Sequence, residues 1–138
     1  MALDKDVILN KKAIIERCTK RINEEFDQNA ANLKNFTKQD SIVLNLQRAC
    51  EAAIDLAMHT CTKLKLGVPQ SSSDAFKKLL ENEIITACLE KNLKGMVGFR
   101  NIAVHDYQTL NLNILESIIN HHLKDLLAVS NIILSLID

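Results

Sequence analysis

Residues 37–66 read TKQDSIVLNLQRACEAAIDLAMHTCTKLKL and contain neither glycine nor proline. At 3.6 residues per turn, Ile42, Leu46, Ala49, Ala53 and Leu56 fall on one line, with Val43, Cys50, Ile54, Ala57, Cys61 and Leu64 beside it. An apolar surface this wide needs more than one partner to cover it. Thr37 is the expected N-cap, with Asp40 three residues on in the position of a capping box. The helix is expected to reach about Leu66, where Gly67 supplies a C′ residue and Pro69 forbids continuation.

The same pattern extends in both directions. Upstream, Val7, Ile8, Ile14, Ile15, Cys18 and Ile22 form a broad stripe from about Asp6 to Phe26, and the polar run Asp27–Asn32 ends it. Downstream, Ser71-Ser72-Ser73-Asp74 reads as a helix start leading through Ala75, Phe76, Leu79 and Leu80, with a break at Asn82-Glu83. A further helix is expected from about Ile84 to His105, with Ile85, Leu89, Leu93 and Met96 inward. After Leu110-Asn111-Leu112-Asn113, one last helix carries Leu112, Leu115, Ile119, His122, Leu126, Val129, Ile133 and Leu136 at heptad-like spacing, with His122 the one polar member. The expectation is an all-α fold: an up-and-down bundle of four long helices plus one short helix, forming a single domain over residues 1–138.

Composition agrees. Of 138 residues, 47% are hydrophobic and 25% charged, enough to build a core and too apolar for disorder; aromatics at 4% make that core aliphatic. One proline and three glycines (Gly67, Gly95, Gly98) are too few to turn a sheet every ten residues or so. Seventeen basic and seventeen acidic side chains cancel, which excludes a globally polybasic nucleic-acid or membrane-surface protein but not a local basic patch. The N-terminus has no secretory pattern, and no apolar run approaches the ~20 residues that span a bilayer, so no membrane association and a cytoplasmic location are expected. Cys18, Cys50, Cys61 and Cys88 form no C-x-x-C pair and have no histidine at zinc spacing; they read as small core hydrophobes, and no metal site is expected.

The chemistry concentrates in Gly98-Phe99-Arg100-Asn101-Ile102-Ala103-Val104-His105-Asp106-Tyr107, which holds the chain's one tyrosine. Asn101 and His105 lie one turn apart on one helix face, and Arg100 sits about 140° from His105. A histidine exchanges protons near neutral pH, and an arginine is a permanent fork that matches phosphate. Together they suit deprotonation of a ribose 2′-hydroxyl and charge stabilisation at a pentacoordinate phosphorus, without a metal. On residue types alone a polar helix end, with both side chains solvated or facing the terminal carbonyls, explains the cluster too. Lys91 and Lys94 precede the motif with no acid between them and His105; they are candidate RNA contacts, and equally a solvated charge run.

Arg100-Asn101-Ile102-Ala103-Val104-His105-Asp106-Tyr107 resembles the R-x4-H-x-Y signature of HEPN-superfamily toxins of the HepT type. The flanking Met96-Val97-Gly98-Phe99, the Ala53-Ile54-Asp55 segment and the Gly67-Val68-Pro69 turn resemble that family as well, so the likeness runs through nearly the whole chain. The resemblance implies a metal-independent, cofactor-free endoribonuclease toxin that acts on tRNA or mRNA. It implies a homodimer in which arginine and histidine of both subunits line one cleft, and an antitoxin partner, the minimal nucleotidyltransferase MntA, which transfers AMP to the motif tyrosine. Carried over, Arg100 stabilises phosphate charge, His105 is the acid and base, Asn101 orients the histidine or the RNA backbone, and Tyr107 is modified. An adenylylated Tyr107 would set bulk and negative charge beside the groups that hold phosphate. The alternative is a non-catalytic helical subunit that partners a nucleotidyltransferase and presents Tyr107 as acceptor. A purely structural helical dimer leaves the polar motif unexplained.

Other polar groups have simpler readings. Asp55 and His59, with Glu51 one turn earlier, are expected to join an intrahelical network with Arg48 rather than a second acid–base site. His122 reads as a satisfied core or interface histidine, and Ser71–Ser73 as helix capping. Gly95 and Gly98, just before Arg100, would thin the helix so that a backbone can approach.

Overall fold

The structure, a computed structural model, describes residues 2–105 and 110–137. Among these residues there are six α-helices: α1 (Lys5–Phe26), α2 (Phe36–Lys63), α3 (Ser72–Glu81), α4 (Ala87–His105), α5 (Leu112–His121) and α6 (Leu123–Ser135), with a 3-10 turn at Ala30–Lys34. Among the described residues there is no strand.

The wide apolar face of α2 explains the arrangement, because α1, α3, α4 and α6 all pack against that one helix. Both expected lines are buried, from Ile42 and Val43 through Leu56, Ala57 and Cys61. Leu64 is the exception: it lies just past the helix end and is exposed. Alanines at 49, 52, 53 and 57 let neighbouring helices come close, while Ile8, Ile15 and Ile22 of α1, Phe76 and Leu79 of α3, Leu93 and Met96 of α4, and Leu126, Val129 and Ile133 of α6 fill the space between them. Each such aliphatic side chain removed from water contributes ~1.5–3 kcal/mol. Cys18, Cys50 and Cys61 are buried as free thiols in this core, whereas Cys88 is exposed.

Element ends depart from the sequence expectation for local reasons. Helix α2 is capped by Asn35, not Thr37: the Asn35 side chain accepts from the Lys38 amide at 3.0 Å, and its carbonyl accepts from Gln39 at 2.8 Å. The 3-10 turn sets that start by delivering the chain in extended conformation at Asn35, and Gln39 donates back to the Leu33 carbonyl at 2.8 Å. The far end closes at Lys65, not Gly67. Lys65 takes a left-handed conformation (φ 55°), and the Leu66 amide donates to the Cys61 carbonyl at 2.9 Å, which is a Schellman closure. The break after α3 uses the same device, with Glu83 left-handed (φ 60°) and Ile84 donating to Leu79 at 2.9 Å. That closure consumes Ile84 and Ile85, so α4 starts at Ala87, where the Thr86 hydroxyl accepts from the Leu89 amide at 3.2 Å.

The expected last helix is two helices. His122 leaves helical geometry (φ −124°, ψ −6°) and joins α5 to α6, its Nδ1 lying 3.0 Å from Oδ2 of Asp125. The heptad-like seam survives the joint, since Leu115, Ile119, Leu126, Val129 and Ile133 are all buried; Leu136, beyond the end of α6, is exposed.

Candidate active site

Helix α4 presents two sides to different surroundings. Lys91, Lys94, Gly98, Asn101 and His105 fall within about 40° of one line along the helix, and all five are exposed. A Cβ added at Gly95 or Gly98 would meet nothing within 4 Å, so this side faces open space. At 1.5 Å per residue, Lys94 and Lys91 lie about 16 and 21 Å from His105 along the axis. Lys94 is not free: Glu90, one turn earlier, stands 3.7 Å away. Lys91 lines a pocket between α4 and α5 together with Asn92, Gly95 and Met96.

Arg100 lies on the other side of α4. Its side chain is only 16% exposed, and its Nη1 donates to Oε1 of Glu51 on α2, in an ion pair that spans 49 positions of sequence. Its Nε is buried with no hydrogen-bond partner among the described residues. Beneath the pair, burial pushes the Cys50 thiol up to about 12; Arg100 pulls against that shift and Glu51 adds to it. Cys50 is therefore a neutral packing residue under the guanidinium, with no nucleophile's character.

Within one chain the structure thus brings Asn101 and His105 together and turns Arg100 away from them, toward α2. Tyr107 lies outside the described residues. Glu51 is the functional contact that sequence reasoning placed elsewhere, because nothing in local spacing links it to a residue on α4. The expected network with Arg48 is replaced by separate contacts. Asp55 pairs with Lys11 of α1 at 3.0 Å, and Nε2 of His59 accepts from the Asp4 amide at 3.1 Å. His122 is satisfied by Asp125, and the Ser71 hydroxyl caps α3 by accepting from Asp74 at 3.0 Å, so neither invites a catalytic role. Among the described residues no cluster of histidine, cysteine, aspartate or glutamate could hold a metal ion.

A helical bundle with an arginine and a histidine five positions apart, at the end of one helix, is the arrangement of a HEPN-type fold. The bundle superposes on the HEPN toxin of Shewanella oneidensis, solved in tri-AMPylated form in complex with an MNT antitoxin. The TM-score is 0.87 at 51% identity, covering 93% of this chain and 96% of that one. The family model described as ribonuclease HepT-like matches residues 14–133, and the chain belongs to that family. It is 53% identical to the mRNA nuclease HepT of Shewanella oneidensis over 120 residues, 87% of this chain and 90% of the relative. It is 35% identical to the tRNA nuclease HepT of Aphanizomenon flos-aquae over 81 residues, 59% of this chain and 55% of that relative.

Proposed function

We propose that residues 1–138 form a single-domain, cytoplasmic toxin of a toxin–antitoxin pair. It cleaves RNA without a metal as a homodimer, and a cognate MntA-type nucleotidyltransferase silences it by transferring AMP to Tyr107. The observation that carries the reading is the intact R-x4-H-x-Y motif, Arg100 through Tyr107, in a chain 53% identical to an mRNA nuclease. The solved relative's tri-AMPylated state, in complex with its antitoxin, supports the same regulation here. No helix among the described residues is long and apolar enough to cross a membrane.

In this reading His105 removes the proton of a ribose 2′-hydroxyl, and the freed oxygen attacks the adjacent phosphorus. The bond from phosphorus to the 5′ oxygen breaks, and an imidazolium returns a proton to that leaving oxygen. Arg100 meets the charge that accumulates on the non-bridging oxygens. Because Arg100 and His105 point to different sides of α4, one chain does not converge them. A two-fold pairing that brings the Arg100 side of one α4 against the His105 side of its twin supplies the missing partner, and Asn101 then orients a histidine or the RNA backbone. Lys91 and Lys94 extend the same exposed side as weak RNA contacts.

The reading is tested by expressing the chain without any antitoxin and following growth, with purified protein incubated with total mRNA and tRNA. Wild type should arrest growth and cut RNA in EDTA, and Arg100→Ala and His105→Ala should each lose at least about 100-fold in rate. A wild-type protein that is harmless and leaves both RNA pools intact removes the nuclease reading in favour of a non-catalytic subunit. For Tyr107, incubation with the cognate nucleotidyltransferase and ATP should add AMP masses to wild type and none to Tyr107→Phe.

A further inference from the structure

Two grooves run side by side between α1 and α2. The first is lined by Arg17, Arg21, Ser41, Asn45 and Arg48 among others; the second by Lys11, Arg17, Arg48, Glu51 and Asp55, with Val104 of α4 at its end. Arg17 and Arg48 line both, so the two form one continuous channel along α2, about 20 Å long from Asp40 to Asp55. The channel ends at the motif helix. Glu51, in its wall, holds Arg100, and Val104, one turn after Arg100, closes it beside His105.

The charges in this channel do not cancel. Lys11, Arg17, Arg21 and Arg48 line it against three acids: Asp55 and Glu51, occupied by Lys11 and Arg100, and Asp40 at the far end. Arg21 is held only loosely by Glu24 and Glu25 of its own helix, at 3.9 and 3.7 Å. Arg17 and Arg48 are exposed and have no ion-pair partner among the described residues. Arg17 of α1 and Arg48 of α2 line both grooves, so the two guanidinium groups flank the channel from its opposite walls. Two unpaired planar forks facing one groove are suited to the oxygens of successive phosphates. An electropositive groove beside the reacting groups is the form that single-strand tracking takes.

We propose that the α1–α2 channel binds the phosphate backbone of single-stranded RNA through Arg17 and Arg48, with Arg21 at its far end, and leads the strand to Arg100. This rests on the nuclease reading above and adds to it a binding site on the side of α4 away from the lysines. A channel that ends on the phosphate-binding arginine favours a continuous polyanion over a folded acidic partner, which would need matching shape as well as charge.

The experiment measures binding of a fluorescein-labelled, fully 2′-O-methylated 12-nucleotide RNA, which cannot be cleaved, by anisotropy from 50 to 200 mM salt. Arg17→Gln/Arg48→Gln should raise Kd about tenfold at low salt and reduce the slope of log K against log salt by about 1.4, two phosphates at ~0.7 each. Arg17→Lys/Arg48→Lys should restore most of the slope, which excludes a folding defect, and Lys63→Gln/Lys124→Gln, charge-matched and remote, should stay within twofold of wild type. Unchanged Kd and slope in the glutamine variant overturn the proposal while leaving the nuclease reading intact. Unchanged RNA binding with lost binding of the nucleotidyltransferase overturns it too, and makes the channel a protein-docking surface. A wild type that binds this RNA with no salt dependence overturns both readings.

Discussion

The setting of Arg100 suits the phosphate contact proposed for it. Its guanidinium is mostly out of water, one donor is committed to Glu51, and Nε has no partner among the described residues. Glu51 is half exposed, so water screens the pair and its worth to stability is under about 1 kcal/mol. Its value lies in orientation, since a fork fixed at one end presents its remaining donors in a set direction. Glu51→Gln should therefore leave the melting temperature within a few degrees of wild type yet lower kcat about tenfold with KM little changed, and Glu51→Asp should recover part of the loss. A rise in kcat would show that the carboxylate competes with phosphate for Arg100 instead of positioning it. Single-turnover cleavage of a short RNA separates the two outcomes.

At the scale of the helix, α1 depends on a contact that titrates. The Asp4 side chain caps α1, accepting from the Asp6 and Val7 amides at 3.0 and 3.3 Å, and the Asp4 amide donates to Nε2 of His59. That bond needs an unprotonated Nε2. Burial lowers the His59 pKa, Lys63 lowers it further, and Asp4 opposes them. The folded chain thus binds a proton on His59 less readily than the unfolded chain. The stability this confers is complete above the unfolded value near 6.5 and is lost as pH falls below it. The protection factors of the first amides of α1, exchange rates corrected for their intrinsic pH dependence, should fall between pH 7.5 and 5.5, and His59→Gln should flatten that fall. An exchange rate that follows only the intrinsic pH dependence in wild type would refute the coupling.

Helix α4 carries the opposite economy, because Gly95 and Gly98 cost it about 1 kcal/mol each against alanine and nothing packs on either. Gly98→Ala should raise the melting temperature by about 3–5 °C, as read by circular dichroism. It should also lower RNA cleavage, because the added methyl projects from the side that carries Asn101 and His105. Unchanged cleavage would show that nothing approaches that side closely.

For the molecule as a whole, the proposed action of Arg100 and His105 on one phosphate has to be reconciled with a single chain that splays them apart. If a two-fold pairing assembles the site, a heterodimer of Arg100→Ala and His105→Ala still holds one arginine and one histidine in the shared cleft. Mixing the two inactive variants after mild denaturation and refolding should recover a measurable fraction of wild-type activity, on the order of half in the heterodimer fraction by counting groups. Sedimentation or light scattering should place that activity in the dimer peak. Activity in mixtures no higher than the sum of the two variants would place the complete site within one chain.

Much of the fold was legible along the chain. The two apolar lines of α2, the stripe of α1 and the break at Asn82-Glu83 are properties of residue type and a fixed helical period, and the core follows them. Helix ends were less legible: Lys65 and Glu83 adopt left-handed conformations that glycine or asparagine would have announced, and the 3-10 turn at Ala30–Lys34 has no apolar period to reveal it. At the site, Arg100, Asn101, His105 and Tyr107 stand within eight residues, and their chemistry reads directly from side-chain type. The partner of Arg100, the pairing of Lys11 with Asp55 and the placement of Arg17 and Arg48 along the same grooves could not be read that way. Such contacts join residues tens of positions apart, and helix packing places them with no trace in local spacing.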